Sequence, residues 1–201
     1  MRVLSSVTED EMIAVFLRGE LNSQRYGDKL RALLARHAWS EDVLLRPDLR
    51  DPATNRHRRQ LLEEHRGYER REGLFLHFPQ GIEWFRAELE RDEVLDILYI
   101  NWNWWLKLSG GSRRPVDAAR RIRAGEVPGE TADGYEPLAA ALRRNPAPPE
   151  LIAVTTPDHS QLVLVEGHIR LTAYALYPEY VPPTLDIVLG VSAEMPRWCQ
   201  F

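Results

Sequence analysis

Along the first hundred positions apolar residues recur at spacings of three and four, the period of a helix with one buried face. Met12, Ile13, Val15, Phe16 and Leu17 follow Thr8-Glu9-Asp10-Glu11. That tetrapeptide reads as a capping box, with Thr8 at the N-cap and Glu11 at N3, and Gly19 is placed to end the helix. A second helix is predicted after Asn22-Ser23, with Tyr26, Leu30, Leu33, Leu34 and His37 on one face. His37 on such a face reads first as a packed histidine rather than a ligand. Asp51-Pro52 offers an N-cap and an N1 proline for a third helix, and Arg66-Gly67-Tyr68 offers its exit. Gly73 to Pro79 is short and apolar, a strand or a buried loop. Ile82, Phe85 and Leu89 have helical spacing with Trp84 beside the stripe, and Val94 to Tyr99 reads as another helix after Asp92.

The pattern changes in the second half. Trp102 and Trp105 share a helix face, as core packing or as a stacking wall for a base or sugar. A Gly-rich loop, Leu108 to Arg114, leads into a helix with Pro115 near N1 and Val116, Ala119 and Ile122 inward. Gly125 to Gly134 reads as an exposed loop. Tyr135 to Asn145 is amphipathic, with Leu138, Ala141 and Leu142 inward. The proline-rich connector 145–149 cannot be helical. Beyond it come strand 151–154, a turn at Pro157 to Ser160, strand 161–165, a turn, a helix and strand 181–188, and a tail whose Trp198 and Phe201 dock back. The expectation is an α+β fold: a helical region over residues 1–100 and a mixed-sheet α/β region over 101–201, together able to form one compact domain.

Composition narrows the class. At 201 residues, 44% hydrophobic and 28% charged, the chain reads as ordinary globular protein, long enough for a sizeable core. A net charge of −4 argues against a general nucleic-acid binder, though not against a local basic patch. One cysteine excludes an internal disulfide and a Cys-rich zinc site. Nothing near Met1 reads as a signal peptide and no run reaches membrane-spanning length, so a cytoplasmic protein with no membrane partner is expected.

The most informative stretch is Leu162 to Tyr174. Apolar Leu162 to Val165 meets Glu166-Gly167-His168, and Leu171, Tyr174 and Ala175 begin a helical face. A strand, a glycine turn and a helix start place free N–H groups and the positive end of a dipole at one point. Such a point attracts an anion. Gly167 lets a phosphate approach the backbone, and His168 and Arg170 stand at the mouth as donors.

Gly167-His168-Ile169-Arg170-Leu171-Thr172-Ala173 resembles the G-H-x-R-L-x-A signature of the ParB/sulfiredoxin-like superfamily. Pro149 to Val154 is similar to its preceding strand and Val181 to Val188 to the following one, so the resemblance covers about the last quarter of the chain. It implies a turn that binds nucleotide phosphates or a transferred phosphoryl group, in members that are CTPases, nucleases, sulfiredoxins or free-serine kinases. The turn lacks the sulfiredoxin cysteine, since Cys199 is near the C-terminus. It also lacks the G-E-R-R of chromosome-partitioning members, and residues 171–201 leave no room for their helix-turn-helix domain. The resemblance also implies an arginine from an earlier loop at the phosphate, a role open to Arg113 or Arg114.

Other residues complete the candidate set. Ser109, Arg113 and Arg114 could meet an anion or simply belong to a connecting loop; no Walker A ending is present. Glu166 is the carboxylate nearest the turn: it could hold Mg²⁺, act with His168 in catalysis, face solvent, or pair with Arg170. The basic run Arg56 to Arg59 reads more readily as a solvated face balanced by Glu63, Glu64, Glu69 and Glu72 than as a polyphosphate contact. The favoured expectation is a nucleotide-dependent phosphotransferase or hydrolase taking a nucleoside di- or triphosphate with Mg²⁺, or another phosphorylated small molecule. The alternatives are a nuclease or DNA-associated protein, which needs a continuous basic stripe near the turn, and a non-catalytic binding module.

Overall fold

The structure is a computed structural model that describes residues 1–145 and 148–201. Helices pack on one mixed five-stranded sheet, an α+β architecture. Strand β1 (Arg2–Val7) leads into α1 (Glu9–Leu21), α2 (Gly27–Arg36), the single turn α3 (Asp42–Leu45) and α4 (Pro52–Arg66). Strand β2 (Glu83–Glu90) is followed by α5 (Arg91–Asp96), α6 (Asn103–Ser109), α7 (Pro115–Arg123) and α8 (Ala132–Arg144). The chain then forms β3 (Leu151–Thr155), β4 (Val163–Glu166), α9 (His168–Leu176) and β5 (Thr184–Val191). The strand order is β1-β2-β5-β3-β4, with β3 parallel to β5 and the other pairs antiparallel. The sheet thus draws two strands from the first hundred residues and three from the rest.

Local chemistry explains the helix ends. Thr8 caps α1, its side chain accepting from Glu11 N at 3.2 Å, while Glu11 turns its own carboxylate to Arg86 at 2.7 Å. Gly19 does not end α1: the helix runs on to Leu21, because Glu20 and Leu21 are both buried. Asp51 and Pro52 start α4 as the sequence predicts, and Gly67 closes it at φ +79°, a left-handed conformation that glycine adopts without a Cβ penalty.

One expected helix is a strand. Residues 83–90 pair with β5 from Glu83–Val191 through Glu90–Thr184. Ala87 and Leu89 are buried two apart, and Trp84 packs against Gly190, where an added Cβ would come within 2.7 Å of the ring. Glu, Ala and Leu favour helix locally, but eight rungs of pairing override that preference. Residues 94–99 leave the helix after Asp96, and Leu98 instead bridges to Val163. In α7 the inward positions are Ala118, Ala119 and Ile122, and Val116 is exposed. In α8 Ala139 and Leu142 are buried while Ala141 faces out. The stiff connector expected over 145–149 falls partly on residues 146–147, outside the described residues.

The tail docks as expected. Trp198 is buried, meets Phe78 edge-on at 5.0 Å and donates its indole N–H to Leu74 O at 2.8 Å. Trp198→Ala should cost about 3–5 kcal/mol in urea unfolding; a loss below about 1 kcal/mol would show that the tail is not part of the core.

Candidate functional site

The β4–α9 turn is built as the sequence suggests, but its side chains look inward. Gly167 sits at φ +106°, and a Cβ there would lie 2.4 Å from the Leu151 side chain. Glycine is required by the backbone angle and by the close approach of β3, so packing, not ligand access, explains it. The Arg170 guanidinium is buried. It donates to Pro149 O at 2.7 Å and Glu150 O at 2.8 Å and forms an ion pair with Glu166. The reading of Arg170 as an open donor at the mouth is therefore corrected: it clamps the turn to the entry of β3. Of the alternatives for Glu166, the structure shows the pairing with Arg170. Its carboxylate also fills the space beside Gly19, where a Cβ would stand 3.0 Å from it. Burial pushes the Glu166 carboxyl above the usual range, and the charge of Arg170 offsets only part of that.

His168 opens α9 and lies against two aromatic rings. Its imidazole stacks on Trp105 at 4.8 Å, with Tyr99 at 6.1 Å, and Tyr99 stacks on Trp105 at 4.8 Å. Tyr99 is fixed through its hydroxyl at 2.7 Å from Thr172 Oγ1, and Thr172 donates to His168 O at 2.8 Å. Trp105 thus acts as core packing for the turn, while Trp102 is exposed. His168 Nε2 is buried with no hydrogen-bond partner. Burial first, then the charges of Arg66 and Arg170, hold the imidazole down to about 3.

The Gly-rich loop sits near the stack but serves the fold. Ser109 donates to Trp105 O at 2.7 Å and accepts from Arg113 N at 2.9 Å. Arg113, at φ +63°, donates to Tyr99 O at 2.8 Å, Phe201 O at 2.8 Å and Gln200 O at 3.0 Å. All three donations are spent on carbonyl groups, so its assignment to the phosphate is corrected to pinning the tail. Arg114 is exposed and pairs with Asp96 at 2.8 Å. The hydrogen bonds of both arginines go to groups outside the turn.

Sequence reasoning missed the helical half of the cluster. Glu20 near the end of α1 is buried, with Oε1 3.0 Å from Arg66 Nη1 and Oε2 3.2 Å from His65 Nε2. His65 and Arg66 are the last two residues of α4, and the Arg66 guanidinium lies 4.3 Å over the Tyr26 ring. The charges of Glu20 and Arg66 reach Glu166, and that of Arg66 reaches His168. The ends of α1 and α4 and the start of α9 therefore share one polar cluster. Within it His65 Nδ1 is a second buried imidazole nitrogen without a partner. The signal available in the sequence was helical spacing, which puts Glu20 in line with Ile13 and Phe16, and His65 in line with Leu61 and Leu62.

The basic runs form no stripe. Arg58 is buried, donating to Val43 O and Asp48 O at 3.0 and 3.1 Å. Arg59 pairs with Glu9 and Asp10, and His57 stacks on Trp39 at 4.1 Å. Arg120, Arg121 and Arg123 engage Asp117, Glu126 and Leu176 O. A cavity of about 1100 Å³ lies elsewhere, across β2 and β5. Two of the arginines in it are already matched, Arg18 by Glu150 at 3.4 Å and Arg86 by Glu11 and Glu150. Among the described residues no three of His, Cys, Asp and Glu are grouped to hold a metal ion. No helix is long and apolar enough to cross a membrane among those residues.

Comparison of the chain with protein-family models, with curated proteins and with solved structures finds no match in any of the three.

A depressed His168 makes stability pH-dependent. The unfolded imidazole binds a proton near 6.5 and the folded one near 3. Its contribution is complete above about pH 6.5 and is lost as pH falls toward 3, by about 1.4 kcal/mol per unit. Urea unfolding at pH 7 and pH 5 should show the wild type losing about 2 kcal/mol more than His168→Phe, which keeps the stack. Equal losses would place the imidazole in contact with solvent.

Proposed function

We propose that the chain binds the phosphate end of a nucleotide or another phosphorylated small molecule at the polar cluster between the ends of α1 and α4 and the start of α9. The observation that carries this reading is the His168 imidazole. Its Nε2 is buried and unpartnered at a helix N-terminus, and burial first, then the charges of Arg66 and Arg170, hold the ring neutral. An anion there would meet the N-terminal end of α9 and the Arg66 guanidinium, whose charge it would share with Glu20. Roles shift from those the sequence suggested. His168 and Arg66 meet the ligand, Arg170 positions the turn, and Gly167 permits its backbone. The ParB-like resemblance, carried by 167–173 with the flanking segments 149–154 and 181–188, is consistent with this end of α9 as the phosphate side.

Chemistry beyond binding needs a proton acceptor, and His65 supplies one. With Nε2–H donated to Glu20, the lone pair belongs to Nδ1, which has no partner. An attacking hydroxyl or water would pass its proton there as its oxygen bonds the terminal phosphorus; the bridging P–O bond breaks and the shortened phosphate leaves as an anion, giving phosphotransfer or hydrolysis. Mg²⁺ held by Glu166 does not fit this arrangement, because that carboxylate is committed to Arg170. A metal would arrive with the ligand's phosphates.

Thermal-shift measurements with ATP, ADP, CTP, GTP and pyrophosphate, each with and without Mg²⁺, test the proposal. A ligand at one hundred times its dissociation constant stabilises the native state by about 2.7 kcal/mol. The expected result is a shift for at least one of these that His168→Ala and Arg66→Met each reduce at least tenfold in affinity. No shift with any ligand, or shifts that both variants retain, would contradict the reading. A shift without phosphate release would mark the chain as a binding module.

A further inference from the structure

Of the two imidazoles with an orphaned nitrogen, His65 is the one with a carboxylate on its other nitrogen. Its Nε2 lies 3.2 Å from Glu20 Oε2, and a carboxylate in that place accepts the ring proton. The lone pair is left on Nδ1, which is buried and has no partner. A histidine present for packing alone is expected to have both ring nitrogens matched. The ring is held still. The Tyr26 ring meets it edge-on at 5.8 Å, and the His65 carbonyl accepts from Lys29 Nζ at 3.4 Å. The other oxygen of Glu20 reaches Arg66 Nη1 at 3.0 Å, so one carboxylate links the imidazole to the guanidinium of the next residue.

We infer, on the footing of the phosphate reading, that His65 Nδ1 is also a phosphorylation site, which takes the phosphoryl group of a bound donor when no acceptor hydroxyl is present. The Nδ1 lone pair bonds the terminal phosphorus. The bridging bond breaks, and its electron pair leaves on the shortened phosphate. No proton has to move, because Nδ1 carries none and Nε2–H stays on Glu20. The ring gains a positive charge, which the Glu20 carboxylate beside Nε2 offsets. Arg66 is the cation on the phosphoryl oxygens. A phosphorylated Nδ1 has no lone pair left for the proton of an acceptor. The modified chain is therefore closed to transfer until the phosphoryl group leaves, and the site limits itself.

The probe is phosphoramidate, a small donor from which ammonia leaves as the P–N bond breaks. The full chain is incubated with it, and phosphate on each histidine is followed with time by peptide mass spectrometry in alkaline solution. His159 is exposed and sets the rate of an ordinary imidazole. Burial alone would make His65 the slower of the two. The expected result is His65 labelled at least tenfold faster than His159, with excess pyrophosphate suppressing the label on His65 and not that on His159. Glu20→Gln keeps a hydrogen-bond acceptor and removes the charge, and should slow His65 about tenfold relative to His159. His65 labelled no faster than His159, or a label that pyrophosphate leaves in place, in a chain that binds pyrophosphate by calorimetry, would overturn this inference and leave the ligand reading standing. A chain that binds no pyrophosphate would remove both. Wild-type labelling in Glu20→Gln would overturn the role given to Glu20.

Discussion

The buried guanidinium of Arg170 fixes where everything around the β4–α9 turn can be. Its two carbonyl acceptors, Pro149 and Glu150, lie just before β3, and its carboxylate partner, Glu166, ends β4. One side chain thus ties the first turn of α9 to the entry of one strand and the end of another. A charge taken out of water costs several kcal/mol unless it is matched, and Arg170 is matched on both amino groups. With Glu166 held, the face of the turn beside Gly19 is closed, and α1 can approach to put Glu20 next to the cluster. The ligand reading depends on this clamp, because His168 owes its place at the start of α9 to it.

Two histidines end up in the same situation from different directions. His168 is brought by a local turn and held by Trp105, while His65 is brought by α4 and held by Glu20. Each has a buried nitrogen with no partner. Buried polar atoms in folded proteins are nearly always paired, so these two nitrogens are the groups the proposed ligand would engage. Arg66, stacked over Tyr26, adds the charge that would favour an anion there.

What could be read from the chain follows from the range of each interaction. The strand-glycine-helix turn at 163–176 and the Asp51-Pro52 start of α4 were legible, because their causes lie within a few residues. The strand at 83–90 was not, since its helix-prone Glu, Ala and Leu are overruled by β5, a hundred residues away. The strand Arg2–Val7 was missed for the opposite reason: with both faces exposed it carries no alternation to read. At the site the turn residues were found and their partners were not. Arg113 and Arg170 look like anion donors in one dimension, and only the fold shows that backbone carbonyls already occupy them. Glu20, His65 and Arg66 come together from helices over forty residues apart, a distance no local pattern spans.

Anion binding at the cluster is tested by a crystal structure of the full chain grown with pyrophosphate. The account predicts density for the anion within hydrogen-bond reach of His168 Nε2 and Arg66, with the Glu166–Arg170 pair intact. An anion seated instead in the groove over β2 and β5, beside Arg18 and Arg143, or a cluster unchanged at saturating pyrophosphate, would contradict it.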